Sequence, residues 1–414
     1  MKTSRRKVIK FGLGLTSILS LPNVLLPAVR AGYSPTEITE RLTGDRNFAG
    51  LSKHDLPTPA LVLDLDIFEA NLAKMSRHAK AVSIGLRPHA KTHKCVEVAK
   101  RQIKAGALGV CVATITEAEA MTAGGVKGLL ITSEMVGRDK INRLAQLTKK
   151  QPDTMSVVDH SRHADDLSAA AVAEKVRLNV FIDIDPGSRR TGIAPGDPAV
   201  ELARHIAKLP NLKLRGIHAY SGASSHVAGF DARRMHSQKA MAPAIETFFR
   251  LKKEGLPVEI LSGGCTGTYN IDPEFKAMTE LQVGSYVFMD VEYRNIGGQA
   301  GATYDDFGQA LTVIATVISK SQSDRATVDA GFKAFATDRK FGPDLKEITG
   351  VKYQFAGDEH GVLEMQSPSR EIRLSDRVEF IVPHCDPNVN LYDRIYGLRG
   401  EKVESVWPVA RGYN

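Results

Sequence analysis

The stretch ALVLDLDIFEANLAKMSRHAKAVSIGLRPHAKTHK, residues 60–94, decides the fold class. ALVLDL (60–65) is an apolar run of strand length, IFEANLAKMSRHAKA places apolar residues at threes and fours as a helix does, and SIGLRPH (83–89) is a second strand-like run. Strand, helix and strand in succession form the repeating unit of an α/β fold. Working outward, further apolar runs follow at 109–114, 128–133, 156–160, 178–184, 214–220, 258–264 and 281–288, with helical patterns such as TEAEAMTAGG, RDKINRLAQLTKK and PAVELARHIAKL between them. About eight alternations over roughly 230 residues have the rhythm of a (β/α)8 barrel, and a doubly wound open sheet shares that rhythm.

Past residue 305 the pattern changes. QALTVIATVISK, RATVDAGF, VKYQFAG, VLEMQ, RVEFIVPH and RIYGLRG alternate polar and apolar residues between turns, which predicts a smaller β domain over 305–414. The barrel is expected over 55–300, with the boundary in GGQAGATYDDFG (297–308).

The 414 residues carry 55 Lys and Arg against 47 Asp and Glu, a net charge of +8. Six of those eight charges, Lys2, Arg5, Arg6, Lys7, Lys10 and Arg30, fall within residues 1–31, which contain no acid. A basic start with paired Arg5 and Arg6, an apolar stretch and small residues near Ala31 have the layout of a twin-arginine export signal. Gly12, Gly14, Pro22, Asn23 and Pro27 interrupt the apolar stretch, so stable membrane insertion is not expected and the folded protein is assigned to the periplasm or another exported location. The remaining charge, +2, gives no support to nucleic-acid binding. Cys95, Cys111, Cys265 and Cys385 show neither CxxC spacing nor a dense disulfide framework.

Three clusters carry chemistry. RPHAKTHK (87–94) lies where a strand ends and a helix begins, the active-site end of α/β folds. A lysine there with two other cations nearby is a candidate for a depressed pKa and for covalent chemistry with a carbonyl, the alternative being a solvated basic loop. LSGGCTGTYN (261–270), with Gly284 and Ser285, offers small residues whose backbone N–H groups can approach a phosphate, although plain turns share this composition. In VPHCDPNVNLYD (382–393), His384 and Asp386 are two apart at a strand end and point to one side, with Cys385 on the other. One imidazole and one carboxylate suit Mn²⁺, Mg²⁺, Co²⁺ or Zn²⁺ with open positions, the alternative being a surface feature.

Taken together in this order and spacing, DLPTPALVLDLD (55–66), RPHAKTHK and HCDPNVNLYD resemble the metal-activated D-threonine aldolase family. That family belongs to the alanine-racemase-like, fold-type III PLP enzymes, whose relatives include D-serine dehydratases. The resemblance implies a PLP-binding (β/α)8 barrel followed by a β domain, usually as a homodimer. It implies that Lys91 carries pyridoxal 5'-phosphate, that Arg190 approaches the phenolic oxygen, and that Tyr220 and, less firmly, His218 pack near the ring. Gly264, Cys265, Thr266, Gly267, Gly284 and Ser285 match the phosphate-binding turns. Gln282 falls where the racemases have an arginine facing the pyridine nitrogen, and a neutral partner there leaves that nitrogen unprotonated. His384 and Asp386 match the metal pair; the dehydratases typically have cysteine in place of the aspartate. The activity implied is retro-aldol cleavage of a β-hydroxy-D-amino acid, D-threonine giving glycine and acetaldehyde, with Lys91, His384 and Asp386 catalytic. A dehydratase of D-serine or 3-hydroxyaspartate and a non-catalytic PLP-binding protein are the alternatives.

Overall fold

The computed structural model describes Phe48 and residues 50–412; the expected export signal, residues 1–31, lies outside the described residues. Strand β1 (Ala60–Asp64) leads into helix α1 (Leu65–Ala81), whose first turn is capped by the Asp64 carboxylate accepting from the Ile67 N–H at 3.0 Å. Eight short parallel strands then follow: β2 (Gly85–Leu86), β3 (Cys111–Val112), β4 (Leu130–Ile131), β5 (Met155–Val158), β6 (Leu178–Asp183), β7 (Leu212–Ala219), β8 (Ile260–Gly263) and β9 (Glu280–Leu281). They pair in the order β2-β9-β8-β7-β6-β5-β4-β3, and a parallel bridge between His89 and Cys111 joins the two ends, closing the barrel.

Helices α2 (Val96–Lys104), α3 (Ile115–Ala123), α4 (Arg138–Lys150), α5 (Ser161–Ala173), α6 (Asp197–Lys208) and α7 (Phe230–Lys253) make successive crossovers, whereas β8 and β9 are joined by 3-10 turns. The two-residue alternation of strands explains the barrel packing. Cys111, Leu130, Met155, Val157 and Phe181 gather in one cluster inside the barrel, while Val112, Ile131, Val158, Val180 and Ile182 face the helices.

The last third folds as β10 (Leu311–Ser319), β11 (Arg325–Val328), β12 (Asp344–Leu345), β13 (Val351–Phe355), β14 (Gly361–Met365), β15 (Arg377–Ile381), β16 (Arg394–Arg399) and β17 (Lys402–Pro408). The expected pairing of a barrel and a smaller C-terminal β domain is therefore the observed architecture. One strand is placed differently from the sequence reading. β1, counted there as the opening strand of the barrel, lies in the C-terminal sheet, antiparallel to β10 and parallel to β16. Leu61 and Leu63 pack into the large core, and Ala60 and Val62 pack into a second cluster with Ile314, Tyr396, Leu398 and Val406. A run buried on both faces fits a barrel strand and a central sheet strand equally well, so only the long-range partner distinguishes them.

Candidate active site

The strand ends of the barrel and the loop after β15 enclose a polar cavity with two adjoining lobes, about 280 and 220 Å³. Lys91 is on a 3-10 turn (Ala90–Thr92) just beyond β2, a turn whose preceding residue His89 accepts the Lys91 backbone N–H on its Nδ1 at 3.3 Å. Opposite it, His384 ends the extended chain after β15 and Asp386 lies in the short helix Cys385–Val389. The expectation that both belong to one strand is corrected here. The chain turns helical at Cys385, and Pro387, tolerated in a first turn, suits that change. Cys385 is still buried away from the cavity, its N–H donating to buried Asp290 at 2.8 Å.

The basic cluster resolves residue by residue. Arg87 forms a buried two-bond pair with Glu280, 2.9 and 3.0 Å, that ties β2 to β9. Lys94 pairs with Glu117 at 2.8 Å. His93 is fully buried, bonded to Gln102 at 3.2 Å, and burial pushes its pKa down to about 4. Among the cluster's side chains, His89, Lys91 and Thr92 line the cavity, so it is not a solvated basic loop. Lys91 Nζ donates to Asp386 Oδ2 at 2.9 Å. The depressed lysine pKa expected from neighbouring cations is not found: Asp386 outweighs burial and holds the Lys91 ammonium above its ordinary value. Burial disfavours the Asp386 charge, but Lys91 and His384 override it, so the carboxylate is held below the usual range.

Arg190, Tyr220, Cys265, Thr266, Gln282, Gly284, Ser285, His384 and Asp386 all line the cavity with Lys91. Gly264 and Gly267 are not among the lining residues. Gly264 has φ +72°, and a Cβ there would meet Leu281 at 2.7 Å and Asp272 at 2.9 Å. Gly267 donates its N–H to Ser225 Oγ at 3.2 Å. The backbone N–H groups of Thr266, Gly284 and Ser285 donate to no acceptor among the described residues. At Gly284 a Cβ would reach 2.5 Å from Thr92 Oγ1 and 3.3 Å from the His89 carbonyl oxygen, so a larger residue would have to displace the Thr92 side chain. Three unpartnered donors converging on one cavity fit a phosphate. The Tyr220 hydroxyl likewise makes no hydrogen bond among the described residues, and its ring lies 5.5 Å from the Arg190 guanidinium.

His384 Nδ1 bonds Asp338 Oδ2 at 2.7 Å, so Nδ1 is the nitrogen engaged by the protein and Nε2 is the one left over for a ligand. Among the described residues no cluster of three or more His, Cys, Asp or Glu side chains suited to a metal occurs. His384 and Asp386 supply one imidazole nitrogen and one carboxylate at the cavity, two donors of the types that hold divalent ions with open positions.

Three residues escaped the sequence reading. His226 lines the cavity, tilts against Tyr293 at 4.9 Å, and has Nδ1 3.4 Å from Glu292. Arg339 grips both Glu292 oxygens at 2.6 and 2.9 Å. Glu134 lines the inner lobe, and burial raises its carboxyl pKa to about 7. None lies in a dense polar motif, so no local signal marked them.

Residues 63–292 match the alanine racemase N-terminal domain family, and residues 310–398 match a putative serine dehydratase domain. The chain belongs to the alanine racemase N-terminal domain family. It is 39% identical to the 3-hydroxy-D-aspartate aldolase of Paracoccus denitrificans (strain Pd 1222), covering 88% of this chain and 94% of that one. It is 34% identical to a D-threonine aldolase of an Arthrobacter species, covering 86% and 93%. The crystal structure of D-threonine aldolase from Filomicrobium marinum superposes with a TM-score of 0.84 at 37% identity, covering 88% of this chain and 98% of that one.

Proposed function

We propose that this chain is a lyase, dependent on PLP and a divalent metal, that cleaves β-hydroxy-D-amino acids by a retro-aldol reaction, with D-threonine giving glycine and acetaldehyde. The observation that carries the proposal is the 2.9 Å approach of Lys91, from the barrel, to Asp386, from the β domain, in one cavity with His384. The aldolase relatives support it.

Bound PLP supplies an electron sink for charge developing at Cα. A divalent ion, with Mn²⁺ preferred over Mg²⁺, Co²⁺ and Zn²⁺, would be held by His384 and Asp386 and would polarise the β-hydroxyl. Lys91 would hold the cofactor through its amine, and the Thr266, Gly284 and Ser285 amides, with Cys265 beside them, would bind its phosphate. Arg190 and Tyr220 would orient the ring, and Gln282 would serve the pyridine nitrogen. Burial lowers the His226 pKa, so its imidazole is neutral and Nε2 can take the β-hydroxyl proton as the Cα–Cβ bond breaks. Glu292, anchored by Arg339, then faces the imidazolium at Nδ1.

The test is to incubate the protein with PLP and Mn²⁺ and assay D-threonine, D-phenylserine, D-serine and 3-hydroxy-D-aspartate. Glycine plus an aldehyde supports the proposal. A 2-oxo acid plus ammonia would replace it with a dehydratase, the reading to which the match at residues 310–398 lends support. No turnover with cofactor bound would indicate a non-catalytic PLP protein.

We also propose export by the twin-arginine machinery to the periplasm and a homodimer in solution. No helix among the described residues is long and apolar enough to cross a membrane. Retention of an Arg5→Lys, Arg6→Lys variant in the cytoplasmic fraction would support export, and a monomer by light scattering would overturn the dimer.

A further inference from the structure

Two histidines flank Lys91 in its cluster, and the reaction outlined above uses neither. His89 and His93 are buried, and each turns its Nδ1 onto the backbone two residues ahead. His89 Nδ1 accepts the Lys91 N–H at 3.3 Å, and His93 Nδ1 accepts the Cys95 N–H at 3.0 Å. A backbone N–H only donates, so both Nδ1 atoms carry a bare lone pair. The far nitrogens are held as well. His89 Nε2 lies 2.9 Å from Thr132 Oγ1, and that hydroxyl donates its one proton to the Val112 carbonyl at 3.2 Å. The Thr132 oxygen must therefore accept, which requires the proton on His89 Nε2. His93 Nε2 donates to Gln102 Oε1 at 3.2 Å.

Both bonding patterns give the same result: a neutral ring, protonated on Nε2, with each nitrogen already engaged by the protein. Burial acts in the same direction, disfavouring the imidazolium at each position. Protonating Nδ1 would set an N–H against the backbone N–H and release the cap. Between the two histidines, the 3-10 turn Ala90–Thr92 carries Lys91. Thr132 follows β4, Val112 is on β3 and Gln102 is on α2, so the two rings tie this stretch to the barrel wall and to the helix that comes after it. We infer that His89 and His93 are a pair of positioning residues, each held in one tautomer, that fix the turn bearing Lys91 and move no proton in the reaction. The inference rests on the PLP reading above only in that the place of the Lys91 amine matters.

The first test needs no cofactor. Long-range ¹H–¹⁵N NMR of the full chain, labelled at histidine and free of PLP, should show both rings neutral and protonated on Nε2 from about pH 6 to 8. The second follows capture of added PLP by its visible absorbance. His89→Leu, which lacks the acceptor, should slow capture about 10²-fold. His89→Asn, whose Oδ1 caps as Nδ1 does and carries no proton, should restore most of that rate and most of the turnover. Thr132→Val should slow capture less, about tenfold, and mix the His89 tautomers in the NMR spectrum, with Thr132→Ser restoring both. Where His89→Leu fails to fold, the Thr132 variants and the wild-type spectrum decide. An imidazolium or an Nδ1–H tautomer in the wild type, or a folded His89→Leu or Thr132→Val with wild-type capture, overturns the inference and leaves the PLP reading intact. So does a His89→Asn variant that captures PLP normally yet loses about 10²-fold in turnover, the mark of a proton carrier. A wild type that captures no PLP overturns the PLP reading and the positioning role with it.

Discussion

The two walls of the cavity are built differently. The inner wall, Asp183, His218 and Gln282 on barrel strands β6 and β7 and just past β9, is sealed: its charges are buried and hydrogen-bonded to one another. The outer wall, from the β domain and the segment leading to it, holds Asp386, His384 and Glu292, 15%, 16% and 14% exposed, in ion pairs whose outer members Asp338 and Arg339 are 37% and 28% exposed. Low dielectric makes the inner charges strongly coupled and fixed, whereas water reaches the rim of the outer wall at Asp338 and Arg339 and leaves room for exchangeable ligands. The barrel wall suits a permanently held cofactor and the β-domain wall a metal and substrate.

The largest expected effect comes from the residue that joins the walls. Lys91→Ala should reduce cleavage to background and remove the visible absorbance of bound PLP; normal turnover would sink the assignment. Next, Asp386→Asn should cost about 10²-fold in kcat, with PLP still bound, and chelator treatment of the wild type should reproduce the loss. Unchanged activity after chelation would argue against a metal on the outer wall. Asp338→Ala deletes the partner of His384 Nδ1. Metal affinity, read by titration calorimetry, should fall about tenfold, with PLP affinity unchanged because the walls act separately. A loss of PLP instead would break the comparison.

The smallest effect concerns Glu134. Its pKa, about 7 folded against about 4.3 unfolded, means that the native state binds more protons between those values. Stability should therefore fall as pH rises through that window, and Glu134→Gln should flatten the dependence. Thermal melting across pH 4–8 in both proteins measures it, and identical slopes would contradict a buried, protonated carboxyl.

Legibility in the sequence followed locality. RPHAKTHK and HCDPNVNLYD marked Lys91, His384 and Asp386 because each motif is a compact polar interruption of apolar runs. The strands of the barrel were readable because parallel βα units pair with near neighbours. β1 was assigned to the wrong sheet because its partners, β10 and β16, lie some 250 and 330 residues away in the chain. His226, Arg339 and Glu134 were invisible for the same reason: each is an ordinary polar residue until the fold brings it to the cavity.

The sequence by itself determined the alternation of elements, the change to β structure past residue 305 and the residue types available for chemistry, because hydrophobic period and polar motifs are local properties. Only the tertiary structure decided what those residues are electrostatically. Lys91 has its pKa raised because Asp386, 295 residues away in the chain, faces it at 2.9 Å. The His218 pKa is likewise raised, against burial, by Asp183 on the neighbouring strand. Charge state depends on distance and burial, and both are set only when the chain has folded.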